Sequence, residues 1–157
     1  MQTKTISKHV TYAEATHSQT AIKYRKENIP DAKQLEAMRL IAEKVFEPVR
    51  AHFKVPIAIT SFFRSKQVNS LVGGSTNSQH TTGEAMDINA AILGGVSNAD
   101  IFFFIKNNLL FDQLIWEFGD DKNPDWVHVS YKNIGNRRQI LRAKKNGYNI
   151  KYESWIG

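Results

Sequence analysis

Two histidines and an aspartate stand at a spacing that suits a bound metal. His80 and Asp87 lie seven residues apart across a turn containing Gly83, and His128 follows 41 residues later within WVHVSY, which reads as a strand. Imidazole nitrogen and carboxylate oxygen both bind zinc at about 2.0–2.2 Å, and three protein ligands leave a fourth position where water can be activated. A closed structural site would need one more ligand. The chain has no cysteine, so thiolate metal sites, disulfides and a catalytic cysteine are all excluded. Local context supports two of the three. Asp87 sits among Ala85, Met86, Ile88 and Ala90, and His128 among Trp126, Val127 and Val129, so both polar groups fall in apolar stretches where a buried charge needs a partner. Strand alternation puts Trp126, His128 and Ser130 on one face. His9, His17 and His52 lie in segments that read as surface helix or terminus and receive no role.

These residues need elements to hold them. Thr11, followed three residues later by Glu14, has the pattern of a helix start and predicts a short helix over YAEAT. Between Pro30 and Val55, Leu35, Met38, Leu40, Ile41, Val45, Phe46, Val49 and Phe53 recur at helical spacing, with Asp31 placed to cap the helix. IAITSFF, rich in β-branched and aromatic residues, predicts a strand ending near Arg64, and Ser65–Leu71 a helical turn. GGSTNSQHTTG is a loop, AMDINAAIL a short strand, and Asn98–Leu110 a helix capped by Ser97 or Asn98. QLIWEF and WVHVSY then read as two strands joined by GDDKNPD.

At 157 residues, with 41% hydrophobic and 11% aromatic content, the chain can bury an ordinary core and is expected to form one domain over 1–157. Within it, a helical portion spans about 1–54 and a metal-binding portion about 55–135. Strands interleaved with helices, without a strict βαβ rhythm, predict an α+β fold with a central antiparallel sheet flanked by helices. The first residues, MQTKTISKHVTYAEATH, lack the apolar stretch of a signal peptide, and no run approaches a membrane span. The expectation is therefore a chain made in the cytoplasm without membrane insertion. A formal charge of +6 favours an anionic partner, such as nucleic acid, acidic lipid or cell wall. The densest basic run, Arg137, Arg138, Arg142, Lys144 and Lys145, reads as solvated surface.

The runs SFFRS, NSLVGGSTNSQHTTGEAMDI, DQLIWEF and WVHVSY together resemble the zinc peptidases that include D-alanyl-D-alanine carboxypeptidases, vancomycin-resistance dipeptidases and phage L-alanyl-D-glutamate endolysins. The pattern S-x-H-x(6)-D with a later x-H in a tryptophan-containing strand is met by Ser78, His80, Asp87 and His128. HVTYAEATHSQTA and EPVRAHFKVPIAITS look like the carboxypeptidase-like branch. The resemblance implies the hedgehog/D-Ala-D-Ala-peptidase fold, one zinc ion per chain, and hydrolysis beside D-amino acids in peptidoglycan stem peptides, of D,D-carboxypeptidase or L-Ala-D-Glu endolysin type. It further implies a monomer with peptidoglycan peptides as partners and no nucleic acid. If phage- or prophage-encoded, such a chain would act on the cell wall.

The same resemblance places a general base at Asp125, three residues before His128, where many relatives carry Glu. A regular strand would point Asp125 and His128 to opposite faces, so this role requires Asp125 to lie in the turn after Pro124. Glu117, on the neighbouring strand, is the alternative. Arg64, in the S-x-x-R motif, is implied to face the substrate carbonyl or carboxylate, where a guanidinium stabilises developing negative charge; a surface ion pair is the plainer use. Ser78 could bond a substrate backbone or only shape its turn. A non-hydrolytic wall-binding module on the same fold is the competing reading, and a nucleic-acid binder has only the basic charge in its favour.

Overall fold

Short polar side chains at the helix starts organise the amino-terminal third. The computed structural model describes residues 5–155; residues 1–4 and 156–157 of the expected domain lie outside it. A two-stranded ladder of β1 (Thr5–Ser7) and β2 (Val10–Thr11) leads into α1 (Tyr12–Thr16), whose first turn is closed by Thr11 Oγ1 accepting from the Glu14 N–H at 3.0 Å. Ser18 caps α2 (Gln19–Lys23) in the same way. Asp31 opens α3 (Ala32–Ile41) with a reciprocal capping box: its carboxylate accepts from the Gln34 N–H and the Gln34 side chain accepts from the Asp31 N–H, both at 2.8 Å.

The expected helix between Pro30 and Val55 is one rod with a defect. A π turn over Ala42–Phe46 separates α3 from α4 (Glu47–Phe53). Pro48 lacks an N–H and its ring would press on the Lys44 carbonyl one turn back, and the wider turn falls where that conflict arises. The apolar stripe survives the defect, since Met38, Ile41, Val45, Phe46 and Val49 are all buried.

The rest of the chain builds a six-stranded sheet. In chain order its elements are β3 (Ala58–Ser61), α5 (Lys66–Leu71, capped by Ser65), β4 (Ala85–Asn89), α6 (Asn98–Asn108, capped by Ser97), β5 (Gln113–Glu117), β6 (Trp126–Ser130), β7 (Gln139–Asn146) and β8 (Asn149–Ser154). Spatial order is β3-β4-β6-β5-β7-β8. Every pairing is antiparallel except β5 with β7, which is parallel, so the sheet departs from the antiparallel expectation at this one seam. The basic run read as plain surface lies largely in β7, in a hairpin closed by a two-residue turn with Gly147 at φ +62°.

Alternation sorts the sheet's residues cleanly. Met86, Ile88, Leu114, Trp116, Val127 and Val129 point to one face and are buried under α6 and the α3–α4 rod, in a core with Ile101, Phe102 and Ile105. Full burial of such side chains contributes about 1.5–3 kcal/mol each. The opposite face carries Asp87, His128, Ile115 and Glu117, with Leu141 and Tyr152 further across. It is open.

Candidate metal centre and active-site cleft

His80 sits in a single 3₁₀ turn, Gln79–Thr82, between α5 and β4. Ser78 Oγ accepts from the His80 N–H at 3.3 Å to start the turn, and Gly83 ends it at φ +80°. The turn is pressed against α3: a Cβ at position 83 would lie 2.4 Å from the Gln34 carbonyl oxygen, and Gln34 Nε2 donates to the Thr81 carbonyl at 3.0 Å. His80 is only 2% exposed, and its Nδ1 donates to the Phe62 carbonyl at 2.7 Å. That bond fixes the tautomer and leaves the Nε2 lone pair facing the site.

The sheet register brings up the other two groups. Asp87 on β4 stands directly opposite His128 on β6, and Asp87 Oδ1 lies 2.9 Å from His128 Nδ1 and 3.3 Å from His80 Nε2. The three residues offer ligand atoms all within 4.8 Å of one another. Burial alone would raise the Asp87 pKa, but the adjacent imidazoles outweigh it and hold the carboxyl well below the usual carboxylate range. Burial likewise lowers His80, with Asp87 offsetting part of the effect. With Nδ1 donating to Phe62, the buried His80 Nε2 is itself an acceptor facing the Asp87 carboxylate oxygen, and it has no hydrogen bond. A buried unpaired nitrogen is costly, and a cation held between two imidazoles and a carboxylate would satisfy it. The residues present therefore fit a metal ion.

A cleft of about 690 Å³ opens over this group. Glu117 lines it, on β5 opposite Trp126 and diagonal to His128, within reach across the strand pair. The residue is 7% exposed, and burial pushes its pKa up to about 7, with His128 opposing and Asp87 adding to the rise. Asp125 is placed differently. It lies outside the regular pleat, as its expected role required, but its side chain is exposed and does not line the cleft. Its backbone secures the loop, the N–H donating to the Glu117 carbonyl at 2.8 Å and the carbonyl accepting from Asn98 Nδ2 at 3.0 Å. The structure thus brings Glu117, and not Asp125, into the cleft beside the three expected ligands.

Arg64 and Ser78 both line the cleft. The Arg64 N–H donates to the His80 carbonyl at 3.1 Å, which ties the arginine to the ligand turn. Its side chain reaches Asn69 Oδ1 at 3.4 Å, while its Nε is buried without a partner. Burial lowers its pKa and Asp87 raises it. Asn69 in turn donates to the Ser75 carbonyl at 2.8 Å, fastening the glycine-rich loop.

One supporting network was not read from the sequence. Asp112, fully buried just before β5, accepts from the Arg137 N–H, Nε and Nη2 and from Gln79 Nε2, all at 2.8–3.0 Å. It joins the residue preceding His80 to the start of β7. The signal lay in plain view as an aspartate opening a strand and an arginine in the basic run, but only the fold makes them neighbours.

The sequence model of the peptidase M15 family matches residues 8–130, which include all three ligand candidates together with Arg64, Ser78 and Glu117. The chain belongs to the peptidase M15 family. Its members are metal-dependent peptidases, in agreement with the His80–Asp87–His128 group. No individual curated protein matches the chain. The hairpin of β7 and β8 lies beyond the matched segment, yet it supplies Leu141, Ile150 and Tyr152 to the same cleft.

Proposed function

We propose that this M15 chain is a zinc-dependent peptidase that hydrolyses a peptide bond beside a D-amino acid in peptidoglycan stem peptides. The observation that carries the reading is the convergence of His80, Asp87 and His128 in one open cleft with a buried Glu117 on the adjoining strand. Two imidazoles and one carboxylate, without sulfur, suit zinc with an open coordination position. When bound, the ion supplies a Lewis acid that acidifies water and polarises the substrate carbonyl.

The chain's own groups supply the remainder. His80 is oriented by its bond to the Phe62 carbonyl, and Asp87 is kept anionic by the imidazoles around it. Glu117 serves as the general base: a buried carboxylate lining the cleft beside the candidate ligands takes a proton from the attacking water and returns it to the leaving amine. Arg64, half-buried with a free Nε, offers its charge to the carbonyl oxygen as negative charge develops there. Ser78, engaged in starting the His80 turn, shapes the site and exposes its edge to substrate. The Asp-for-Glu change at position 125 would favour a non-hydrolytic wall-binding module, but with Glu117 as base that change no longer bears on turnover. The surplus of positive charge suits an anionic wall, on which the chain would act as a monomer.

The test is digestion of peptidoglycan fragments by the zinc-loaded protein, with new termini read by mass spectrometry. Cleavage of a stem-peptide amide and about one zinc per chain, lost in His80→Ala or His128→Ala, is expected. Zinc retained in both variants, or no cleavage by zinc-loaded wild type, would overturn the reading.

A further inference from the structure

The cleft has a direction, and it follows from where the proton goes. A base that hands its proton to the leaving amine must have that amine on its own side of the scissile carbon. Glu117 lies on β5, whereas Arg64 and the His80 turn lie toward β3 and β4. The acyl portion of a substrate therefore rests toward β3, and the leaving portion extends over β5, β7 and β8.

That leaving side does not stop at the base. Two more strands follow, spaced about 4.8 Å apart, so the surface continues for roughly 10 Å, about three residues of extended peptide. In the row through Glu117, the neighbour on β7 is Ala143 and the next, on β8, is Tyr152. Ala143 is fully buried and too small to obstruct, so the Tyr152 ring and Glu117 stand on either side of a low floor completed by Ile115 and Leu141. Tyr152 and Ile150 are each 52% exposed, forming an apolar ledge along the cleft.

The ledge is also mainly apolar, and the cations near it are engaged. The described cleft-facing residues Leu141, Ala143, Ile150 and Tyr152 carry no cation, while Arg142 and Lys144, of opposite parity, pair with Asp121 and Glu153. Lys145, opposite Ile150 and on the same face, holds its ammonium over the Phe118 ring, and Arg137, which lines the cleft, is clasped by buried Asp112. A site for a free terminal carboxylate just beyond the scissile bond would need a cation there. An extended, mainly apolar wall whose cations are already engaged suits a chain that continues.

We infer that the β7–β8 hairpin is the leaving-side subsite, that Tyr152 is its main substrate contact, and that it receives a peptide continuing past the residue that bears the leaving amine. The enzyme is then an endopeptidase. This rests on the proposed hydrolysis and adds its polarity and substrate class.

Two synthetic peptides sharing the bond found in the fragment digest provide the test: one ends at the residue bearing the leaving amine, and the other continues for two residues to an amidated terminus. Wild type should cleave the longer peptide with kcat/KM about tenfold higher, and Tyr152→Ala should remove most of that advantage while changing the shorter peptide less than about threefold. Tyr152→Phe, which keeps the ring, should retain the preference. Zinc content and melting temperature of each variant establish that it is folded. Preference for the shorter peptide, or a Tyr152→Ala variant that is unchanged or loses both substrates equally, would overturn the inference while leaving the proposed function standing. Wild type that cleaves neither peptide nor fragments would remove both.

Discussion

Replacing Glu117 by Gln should make the metal-free protein more stable and the enzyme inactive. Glu117 is 7% exposed, and burial raises its pKa from 4.5 to about 7 in the fold. Ionising the group in place of its unfolded counterpart therefore costs about 3 kcal/mol. The sign is set by proton counts. Between pH 4.5 and 7 the folded state holds a proton that the unfolded chain has released, so folding stability falls as pH rises through that window. Below pH 4.5 both states are protonated and the penalty vanishes. Glutamine cannot ionise, and after allowing about 1 kcal/mol for burying its amide the variant should gain about 1–3 kcal/mol at pH 7.5 and little at pH 4. With an m-value of about 2 kcal/mol/M, that is a shift of roughly 0.5–1.5 M in the urea midpoint. Chelator-treated wild type and Glu117→Gln, unfolded in urea at several pH values, give the comparison, and subtracting the two curves removes the other titrating groups. Zinc-loaded samples should show kcat reduced by about 10²–10⁴-fold at unchanged metal content, whereas Asp125→Asn, altered at an exposed position, should keep turnover within a few-fold. Parallel stability curves would refute the burial argument. Loss of turnover in Asp125→Asn but not in Glu117→Gln would refute the choice of base.

Asp112 gives the opposite pH dependence. Burial would raise its pKa, but Arg137 and Gln79 hold it down to about 2 from 3.8, so its stabilisation of about 2 kcal/mol is present above pH 4 and lost as pH falls toward 2. Asp112→Asn should lower the urea midpoint at pH 7 and flatten the acid limb between pH 4 and 2, and an unchanged limb would refute the assignment. Gly83→Ala forces a Cβ to 2.4 Å from the Gln34 carbonyl oxygen at φ +80°, and should cost about 2 kcal/mol, or about 4–8 °C in Tm. Because His80 sits in the same turn, zinc affinity should fall with it; a Tm within 1 °C of wild type would show that the turn adapts.

Two of the three candidate ligands are legible because each lies in a local pattern strong enough to survive without tertiary information. His128 and Asp87 occupy alternating apolar strands, where a polar residue on the open face stands out, and the helix starts were marked by Thr11, Asp31, Ser65 and Ser97 acting on the N–H groups just ahead of them. What escaped depended on distant residues meeting. The parallel β5–β7 seam leaves no local trace, so a run of five cations looked like solvated surface when Arg137 was clasping a buried aspartate and Arg142 and Lys144 were pairing along a hairpin.

The two carboxylates show the limit most sharply. Position 125 was favoured by its three-residue separation from His128, a relation along the chain. Position 117 is favoured by a relation across it: the β5–β6 register sets Glu117 opposite Trp126 and therefore on the face of His128, and the turn between those strands turns Asp125 outward while using its backbone to hold Glu117's strand in place. A base must share a face with the group that binds the substrate carbonyl, and in a sheet that face is decided by register. Sequence spacing fixes register only within a strand. The pairing of β5 with β6, and of β7 with β5 beyond it, decides both which carboxylate shares the cleft with the candidate ligands and which strands wall its far side.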